Sequence, residues 1–492
     1  NLYEELRKQR EGEEKFILHD GPPYPTGDLH IGTGLNKVLK DFFVRYHSMR
    51  GYDAPYVPGW DCHGLPIEVK VLEELEDSRD STPRTDIRHK CRAYAERYLD
   101  VQKEQFRSLG VMGDWENPYL TLNPEYEASV LEVFAEMVAA GYVYRDLKPV
   151  HWCHNCQTVL AEAELEYDEI SSPSIYVNFP VLRHADDAAA VDPWKLFDLK
   201  DEDEVNLLIW TTTPWTLPAN LAVAVHPDFS YTAVRYENPE KGQKVVSILA
   251  ESLIDVVFPK CGVEDYEILG TVKGNELVGM EYRHAFLDRE SPVVPAPYVT
   301  LEEGTGCVHT APGHGLEDYS TGLEHGLKIL SPVDGKGYFT EKAGPFSGQH
   351  IGTGDKEIVQ HLKEIGSLVH DEPVNHSYPH CWRCHEPVIF RATNQWFVRM
   401  DHENLRSKVV NAVDDVNWVP EWGHQRMRHM VSDRPDWCLS RQKSWGVPIP
   451  AFYCEECGEV LMNRETVLRV AEVFKEKGSD SWFEEEGVDT FL

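Results

Sequence analysis

No run of about 18 consecutive apolar residues occurs in this 492-residue chain, so the sequence offers no membrane-spanning helix. The first residues, Asn1-Leu2-Tyr3-Glu4-Glu5, are acidic and open no apolar stretch, so no signal peptide is expected there. An initiator methionine is missing too, and a native start further upstream is an expectation. Basic residues are scarce: 48 Lys and Arg against 83 Asp and Glu give a net charge of -35. That balance disfavours a broad nucleic-acid surface, which needs cations to displace counterions, and leaves room only for a local basic patch. No low-complexity segment is evident, and no internal repeat is expected beyond three recurring Cys-x-x-Cys pairs. The phosphate loop Gly-x-x-x-x-Gly-Lys-Ser/Thr does not occur, which excludes that class of nucleotide site.

What is present reads as an ordinary folded protein. Hydrophobic residues make up 41% and charged residues 27%, and the length suggests two to four domains. Six of the 11 cysteines form the pairs Cys153/Cys156, Cys381/Cys384 and Cys454/Cys457. Without a secretory signal these read as metal ligands rather than disulfides, and a cytoplasmic location is expected.

The chain opens with a predicted helix over Leu2–Arg10 and a short strand over Phe16–Leu18, then a Gly/Pro turn over Gly21–Gly27. Leu29, Leu35, Val38, Leu39, Phe42 and Phe43 then recur at helical spacing, which places His30–Thr33 at a strand–loop–helix junction. A strand end at Val57–Asp61 and helices over 86–108 and 124–140 complete an α/β alternation that implies a parallel sheet. From about 168 to 375 short β-like runs take over: Ile175–Val181, Val205–Trp210, Tyr231–Tyr236, Lys244–Ala250 and Gly304–Thr310. The expected organisation is therefore 1–167, a β-rich insertion over 168–375, and a return to mixed character over 376–492.

A helix start at His30 would present free N–H groups and a partial positive charge to phosphate. Gly32 and Gly34 would allow close approach of the backbone, and His30 could donate to a phosphate oxygen as charge builds. A lone His-x-Gly is a weak signal. The surrounding residues are more specific: Asp20-Gly21-Pro22-Pro23-Tyr24, Gly27-Asp28-Leu29-His30-Ile31-Gly32, Leu35-Asn36-Lys37, Lys40-Asp41, and Gly59-Trp60-Asp61-Cys62-His63-Gly64-Leu65-Pro66-Ile67-Glu68. Together they resemble the HIGH region of class I aminoacyl-tRNA synthetases, the isoleucine branch in particular. The resemblance implies a Rossmann-like catalytic domain interrupted by a β-rich editing domain. It also implies ATP contacts at His30, Gly32, Thr33 and Gly34, an adenylate pocket at Pro22, and an ammonium-binding Asp61. The last HIGH position is Thr33 here, which can hydrogen-bond a phosphate but cannot become an imidazolium.

Thr211-Thr212-Thr213-Pro214-Trp215-Thr216-Leu217-Pro218-Ala219-Asn220 and Gly304–Tyr319, which contains Val308-His309-Thr310-Ala311-Pro312-Gly313-His314, resemble the two halves of the family's editing pocket. The resemblance gives Asp318 the substrate's α-ammonium, Thr211, Thr212 and Thr213 the pocket lining, Trp215 the wall, and His309 substrate contact and a limit on pocket size. No Ser-His-Asp set is evident, which fits direct attack by water. The physical need for editing is that one methylene separates valine from isoleucine, worth only about 1–3 kcal/mol, a magnitude that is the standard worked example for this class.

Cys153/Cys156 and Cys381/Cys384 flank the insertion, and two such pairs make a closed four-thiolate zinc site. The resemblance supports that pairing, and two unlinked thiol pairs are the alternative. Cys454/Cys457 has no remaining partner pair, so a second zinc site would be incomplete, with His424 or Cys438 as substitutes lacking any spacing argument. Ser440–Pro450 resembles the stretch that re-enters the catalytic domain. The family's lysine-rich loop and anticodon-binding region are missing, and a longer chain is expected to carry them. The resemblance further implies isoleucine, ATP with Mg2+, and tRNA(Ile) as partners, no membrane, and a monomer. An editing-only deacylase and a zinc-knuckle RNA-binding module are the competing expectations.

Overall fold

A computed structural model describes residues 2–75, 81–183, 191–484 and 488–491. The chain is mixed α/β and divides into two compact units, Asn1–Tyr144 with Val398–Leu492, and the continuous stretch Arg145–Phe397. The inserted unit thus extends beyond 168 and 375 at both ends. Its margins hold the cysteine knuckles, whose turn residues interrupt any β texture in the sequence. No helix among the described residues is long and apolar enough to cross a membrane.

In the discontinuous unit, helices Ile31–Met49, Leu65–Leu75, Arg84–Ser108 and Pro124–Ala139 surround a two-stranded parallel sheet that pairs Gly59–Trp60 with Tyr119–Leu120. Gly59 is required there, because a Cβ would lie 2.1 Å from the Tyr119 ring. Trp60, Phe106 and Trp115 form the aromatic centre, with Trp60 and Trp115 6.2 Å apart and Phe106 stacked on Trp115. The expected strand at Phe16–Leu18 does not form. Only a bridge between Lys15 and Asp53 is made, while Phe16 stacks on His47 and Ile17 is exposed. The helix Ile31–Met49 forms, but only part of its apolar set turns inward, with Val38 packed against the core. Lys37 and Asp41 are buried, and Leu35, Leu39, Phe42 and Phe43 are exposed. The reason is Asp20, which draws Lys37 inward as an ion-pair partner beside the Tyr56 hydroxyl.

Arg88 locks the two sequence segments of this unit together. Its guanidinium is fully buried and donates to Asp480 Oδ1 (2.6 Å), Ser479 Oγ (2.7 Å) and the carbonyls of Ser444 and Gly446 (2.7 and 2.9 Å). Removing one partner of such a buried set strands the others. Arg88→Ala is therefore expected to cost about 3–5 kcal/mol, read as a lowered urea midpoint; a midpoint within error of the parent would refute this.

The continuous unit is built on a ten-stranded sheet. Its middle decides the site. Cys307–Thr310 lies between Val205–Thr211 and Ala222–Val225, parallel to the first (Val308 opposite Trp210) and antiparallel to the second (His309 opposite Val223). Two motifs some 90 residues apart are thereby placed on neighbouring strands. Gly306 makes the turn into Cys307–Thr310 possible: its φ is +75° and a Cβ would sit 2.5 Å from that of Ala250. Along one side, Leu165–Pro180 pairs with Leu368–Cys381 over a long antiparallel ribbon.

Candidate active sites and metal centre

At the start of helix Ile31–Met49, His30 is the N-cap. Its Nδ1 accepts from the N–H groups of Gly32 (3.1 Å) and Thr33 (3.3 Å), so the proton sits on Nε2, which donates to Thr33 Oγ1 at 2.8 Å. Thr33 in turn keeps its own hydroxyl proton to donate. The ring folds back over the helix, and a Cβ on Gly32 would lie 3.0 Å from it. Gly34 is buried beside Leu109. The Gly/Pro turn is tied to the Asp61 segment through Pro23, whose carbonyl accepts from the Asp61 N–H at 3.0 Å, and Asp61 Oδ1 accepts from the His63 N–H at 3.4 Å. Asp20, upstream of the Gly/Pro turn, is the anchor. Burial opposes its ionisation, but Lys37, Lys40 and Tyr56 outweigh this and hold its carboxyl below the usual range.

The same pentapeptide occurs a second time, which corrects the expectation of no repeat beyond the cysteine pairs. His350-Ile351-Gly352-Thr353-Gly354 opens the helix Ile351–Glu364, and His350 Nδ1 again accepts from the N–H two residues on (3.1 Å). There the threonine hydroxyl donates to the His350 carbonyl instead, and His154 and Tyr338 pack against the ring. The pentapeptide is thus a capping element in both places, and only the first copy leaves its histidine exposed.

The continuous unit contains a cavity of about 370 Å³ lined by Thr211, Thr212, Thr213, His309 and Asp318 among others. Thr213 N–H donates to Thr211 Oγ1 at 3.1 Å, which sets the turn of the threonine run. Trp215 is not part of the lining. Its ring stands edge-on behind His314 at 5.0 Å, and its N–H is held at 2.8 Å by Asp355, a residue of the second capped helix. Asp318 Oδ2 accepts from the Ala311 N–H (2.8 Å), and Tyr298 donates to Oδ1 at 3.3 Å. No lysine or arginine lines the cavity among the described residues, and burial pushes the Asp318 carboxyl up to about 6.

His309 is fixed by a complete chain of donors. Tyr282 donates to Asn220 Oδ1, so the Asn220 amide faces His309 Nδ1 (2.8 Å). His309 Nε2–H then meets Thr216 Oγ1 (3.0 Å), whose proton goes to the Thr213 carbonyl (2.8 Å). Both ring nitrogens are spent, and burial pushes its pKa down to about 3. His309 can therefore shape the cavity, but it has no free lone pair for proton transfer. Thr216, Asn220, Tyr298 and His314 are site residues that the motif reading left without a role. The two flanking glycines of His314 were the available signal.

Cys153, Cys156, Cys381 and Cys384 converge, with all four sulfurs within 4.8 Å of one another and Cys153 Sγ 3.5 Å from Cys384 Sγ. Sulfurs on a tetrahedral zinc stand about 3.8 Å apart, so the set fits that ion. Hydrogen bonds from Cys153 and Cys156 push Cys381 down to about 6 and Cys384 lower still, and the converse effect raises Cys153. Four convergent sulfur donors of this kind suit a divalent cation. All three cysteine pairs end in a left-handed residue: Gln157, His385 and Gly458. The Cys381 and Cys454 turns also share their bonds, with the residue after the second cysteine donating to the first cysteine's carbonyl (2.8 and 2.9 Å). Cys454 and Cys457 are exposed, and among the described residues no third ligand atom joins them. His424 is engaged by Asp414 at 2.8 Å, and Cys438 is buried beside Ser440.

The family of class I tRNA synthetases for isoleucine, leucine, methionine and valine matches residues 1–491, and the chain belongs to it. The isoleucine--tRNA ligase of Petrotoga mobilis is 51% identical over 486 residues, covering 99% of this chain and 50% of the relative. That of Carboxydothermus hydrogenoformans is 52% identical with the same coverage, and that of Kosmotoga olearia 49% identical over 98% of this chain. The chain spans about half the length of the curated relatives it matches.

Proposed function

We propose that this chain is the part of an isoleucine--tRNA ligase that carries the first ATP-facing helix start and a complete hydrolytic pocket. In the whole protein, isoleucine's carboxylate attacks the α-phosphate of ATP with Mg2+ present, giving the aminoacyl adenylate and releasing pyrophosphate, and the terminal ribose hydroxyl of tRNA(Ile) then takes the aminoacyl group and releases AMP. Activation of this kind rests on positioning and charge stabilisation. His30, Gly32, Thr33 and Gly34 would face the phosphates, Pro22 the adenylate, and Asp61 the ammonium of isoleucine. The Cys153/Cys156/Cys381/Cys384 set would hold a structural zinc, and Cys454 and Cys457 half of a second site. A monomer in the cytoplasm fits this reading.

The observation that carries the hydrolytic half is the largely buried Asp318 carboxylate, without a cationic partner in its cavity, beside a row of threonine hydroxyls. A carboxylate so placed suits the ammonium of a mischarged valyl ester, and the hydroxyls suit its ribose end and the attacking water. The purified chain should deacylate valyl-tRNA(Ile) at least tenfold faster than isoleucyl-tRNA(Ile). Equal rates for the two, or rates no faster than the spontaneous one, would sink the reading. A parallel ATP–pyrophosphate exchange panel with isoleucine, valine, leucine and methionine measures activation separately.

A further inference from the structure

The two copies of the pentapeptide differ in the residue that follows. His30–Gly34 runs on to Leu35, whereas His350–Gly354 runs on to Asp355. Asp355 Oδ1 accepts from the backbone N–H of Trp215 at 2.8 Å. Burial pushes this carboxyl up to about 6, opposed by the Trp215 bond, and among the described residues no cation pairs with it. A buried carboxylate held by a backbone donor rather than a cation lowers stability, and such departures are expected where function needs them.

The turn that Asp355 grips depends on support from outside. Pro214–Ala219 is a buried 3-10 segment of six residues, and Pro214 and Pro218 bring no N–H to it. The Thr216 N–H donates to the Thr213 carbonyl (3.0 Å) and the Asn220 N–H to the Leu217 carbonyl (2.9 Å). Side chains from elsewhere in the sheet hold its later half. His284 Nε2 donates to the Leu217 carbonyl (2.8 Å), and Arg289 to the carbonyls of Pro218 (3.0 Å) and Asn220 (2.7 Å). The Asn220 amide then meets His309 Nδ1. Asp355 holds the earlier half, one residue before Thr216, which lines the cavity and takes the His309 Nε2–H. One end of the turn thus fixes each nitrogen of His309.

We propose that Asp355 is a positioning residue for selectivity: by holding the Trp215 N–H it keeps Thr216, and through it His309, where the cavity closes against a side chain one methylene larger than valine. The proposal rests on the hydrolytic reading of the cavity. A group displaced by about 1 Å changes a rate by up to about 100-fold. A turn released at this bond therefore lets the wall yield and admits the isoleucyl ester without losing the valyl one.

The test uses the whole chain and initial rates of deacylation of valyl-tRNA(Ile) and isoleucyl-tRNA(Ile), on the parent, Asp355→Leu, Asp355→Ala and Asp355→Asn. Leucine is close to aspartate in shape, matches the residue after the first pentapeptide, and removes the acceptor. Alanine removes it without filling the space, which gives a second route to the same loss should the leucine variant not fold. Asparagine keeps an acceptor oxygen. Asp355→Leu and Asp355→Ala should raise the isoleucyl rate about tenfold and leave the valyl rate within about threefold of the parent, so that the preference nearly vanishes. Asp355→Asn should restore the parental preference, which a residue needed only for packing would not do. Parental preference in both the leucine and alanine variants would overturn the proposal. So would a parallel fall of both rates with the preference intact, the mark of general loosening, or an asparagine variant that behaves like leucine. Each of these leaves the hydrolytic reading standing, because the parent still prefers the valyl ester. A parent without that preference would overturn both.

Discussion

Asp318→Ala is expected to slow hydrolysis of valyl-tRNA(Ile) by about 30-fold or more, while Asp318→Asn makes the folded chain more stable as it weakens the same activity. The two effects share one cause. The carboxylate accepts one backbone N–H and a long bond from Tyr298, and no lysine or arginine among the described residues lines its cavity. Burial raises its pKa to about 6. A carboxyl whose folded pKa lies above its unfolded value holds its proton more tightly in the folded state. Stability is then greatest below the unfolded pKa and is lost as pH rises through about 6. The ionised group costs on the order of 3 kcal/mol at neutral pH. Asparagine keeps the bond to Ala311 and removes that cost, so Asp318→Asn should raise the urea midpoint at pH 7.5 and lose that advantage by pH 4. The ligand's ammonium supplies the missing counter-charge in the parent, and truncating one partner of a buried charged pair costs about 2 kcal/mol or more, hence the 30-fold figure. Ligand affinity should also weaken as pH falls through about 6. An Asp318→Asn protein that is no more stable at pH 7.5, or an Asp318→Ala protein with parental deacylation, contradicts this account.

The second large effect concerns the four cysteines. Zinc analysis of the purified chain should find one tightly held ion per molecule, and Cys384→Ser should release it. Structural zinc contributes roughly 10 kcal/mol or more where a fold depends on it. A strong chelator or Cys384→Ser should therefore lower the thermal midpoint of the continuous unit by many degrees and expose it to protease. Cys454→Ser should change neither the tightly held zinc nor the midpoint, because that pair has gathered no further ligand. Identical melting with and without chelator would show that the cysteines are merely packed together.

Much of this was legible in the residues, and the exceptions share a reason. Helices at 86–108 and 124–140 were readable because periodicity is local, and they run Arg84–Ser108 and Pro124–Ala139. The strands at Val205–Trp210 and Lys244–Ala250 were readable for the same reason. The pentapeptide at His30 was legible as a helix start, yet its twin at His350 shows that those five letters specify a cap and no more. What distinguishes the copies is the packing of His154 and Tyr338 on one of them, and His154 lies far away in sequence. The helix Ile31–Met49 was legible by its spacing, but which of its residues turn inward was not, because Asp20 lies before the helix and draws Lys37 into the core. His314 was quoted without a role because its tautomer depends on the Phe390 carbonyl, 76 positions away. Trp215 was placed in the wall because position along a motif does not say which ring faces the cavity. Sequence carried the pairwise-local chemistry, and tertiary contacts decided which lone pairs were left over.

The Arg88 cluster has a consequence for how the chain is made. Its partners Ser444, Gly446, Ser479 and Asp480 all follow Val398, which leaves the ribosome 254 positions after Tyr144. At about 5–20 residues per second, the 336 positions from Tyr144 to Asp480 keep the first 144 residues waiting roughly 17–67 s for the last of those partners. The intervening stretch emerges whole during that pause and can complete its own fold first. The nascent chain thus passes through a stage in which the later-encoded unit is finished while the earlier one is still open, with a guanidinium that has no acceptors yet, an interval in which a chaperone has the most to protect.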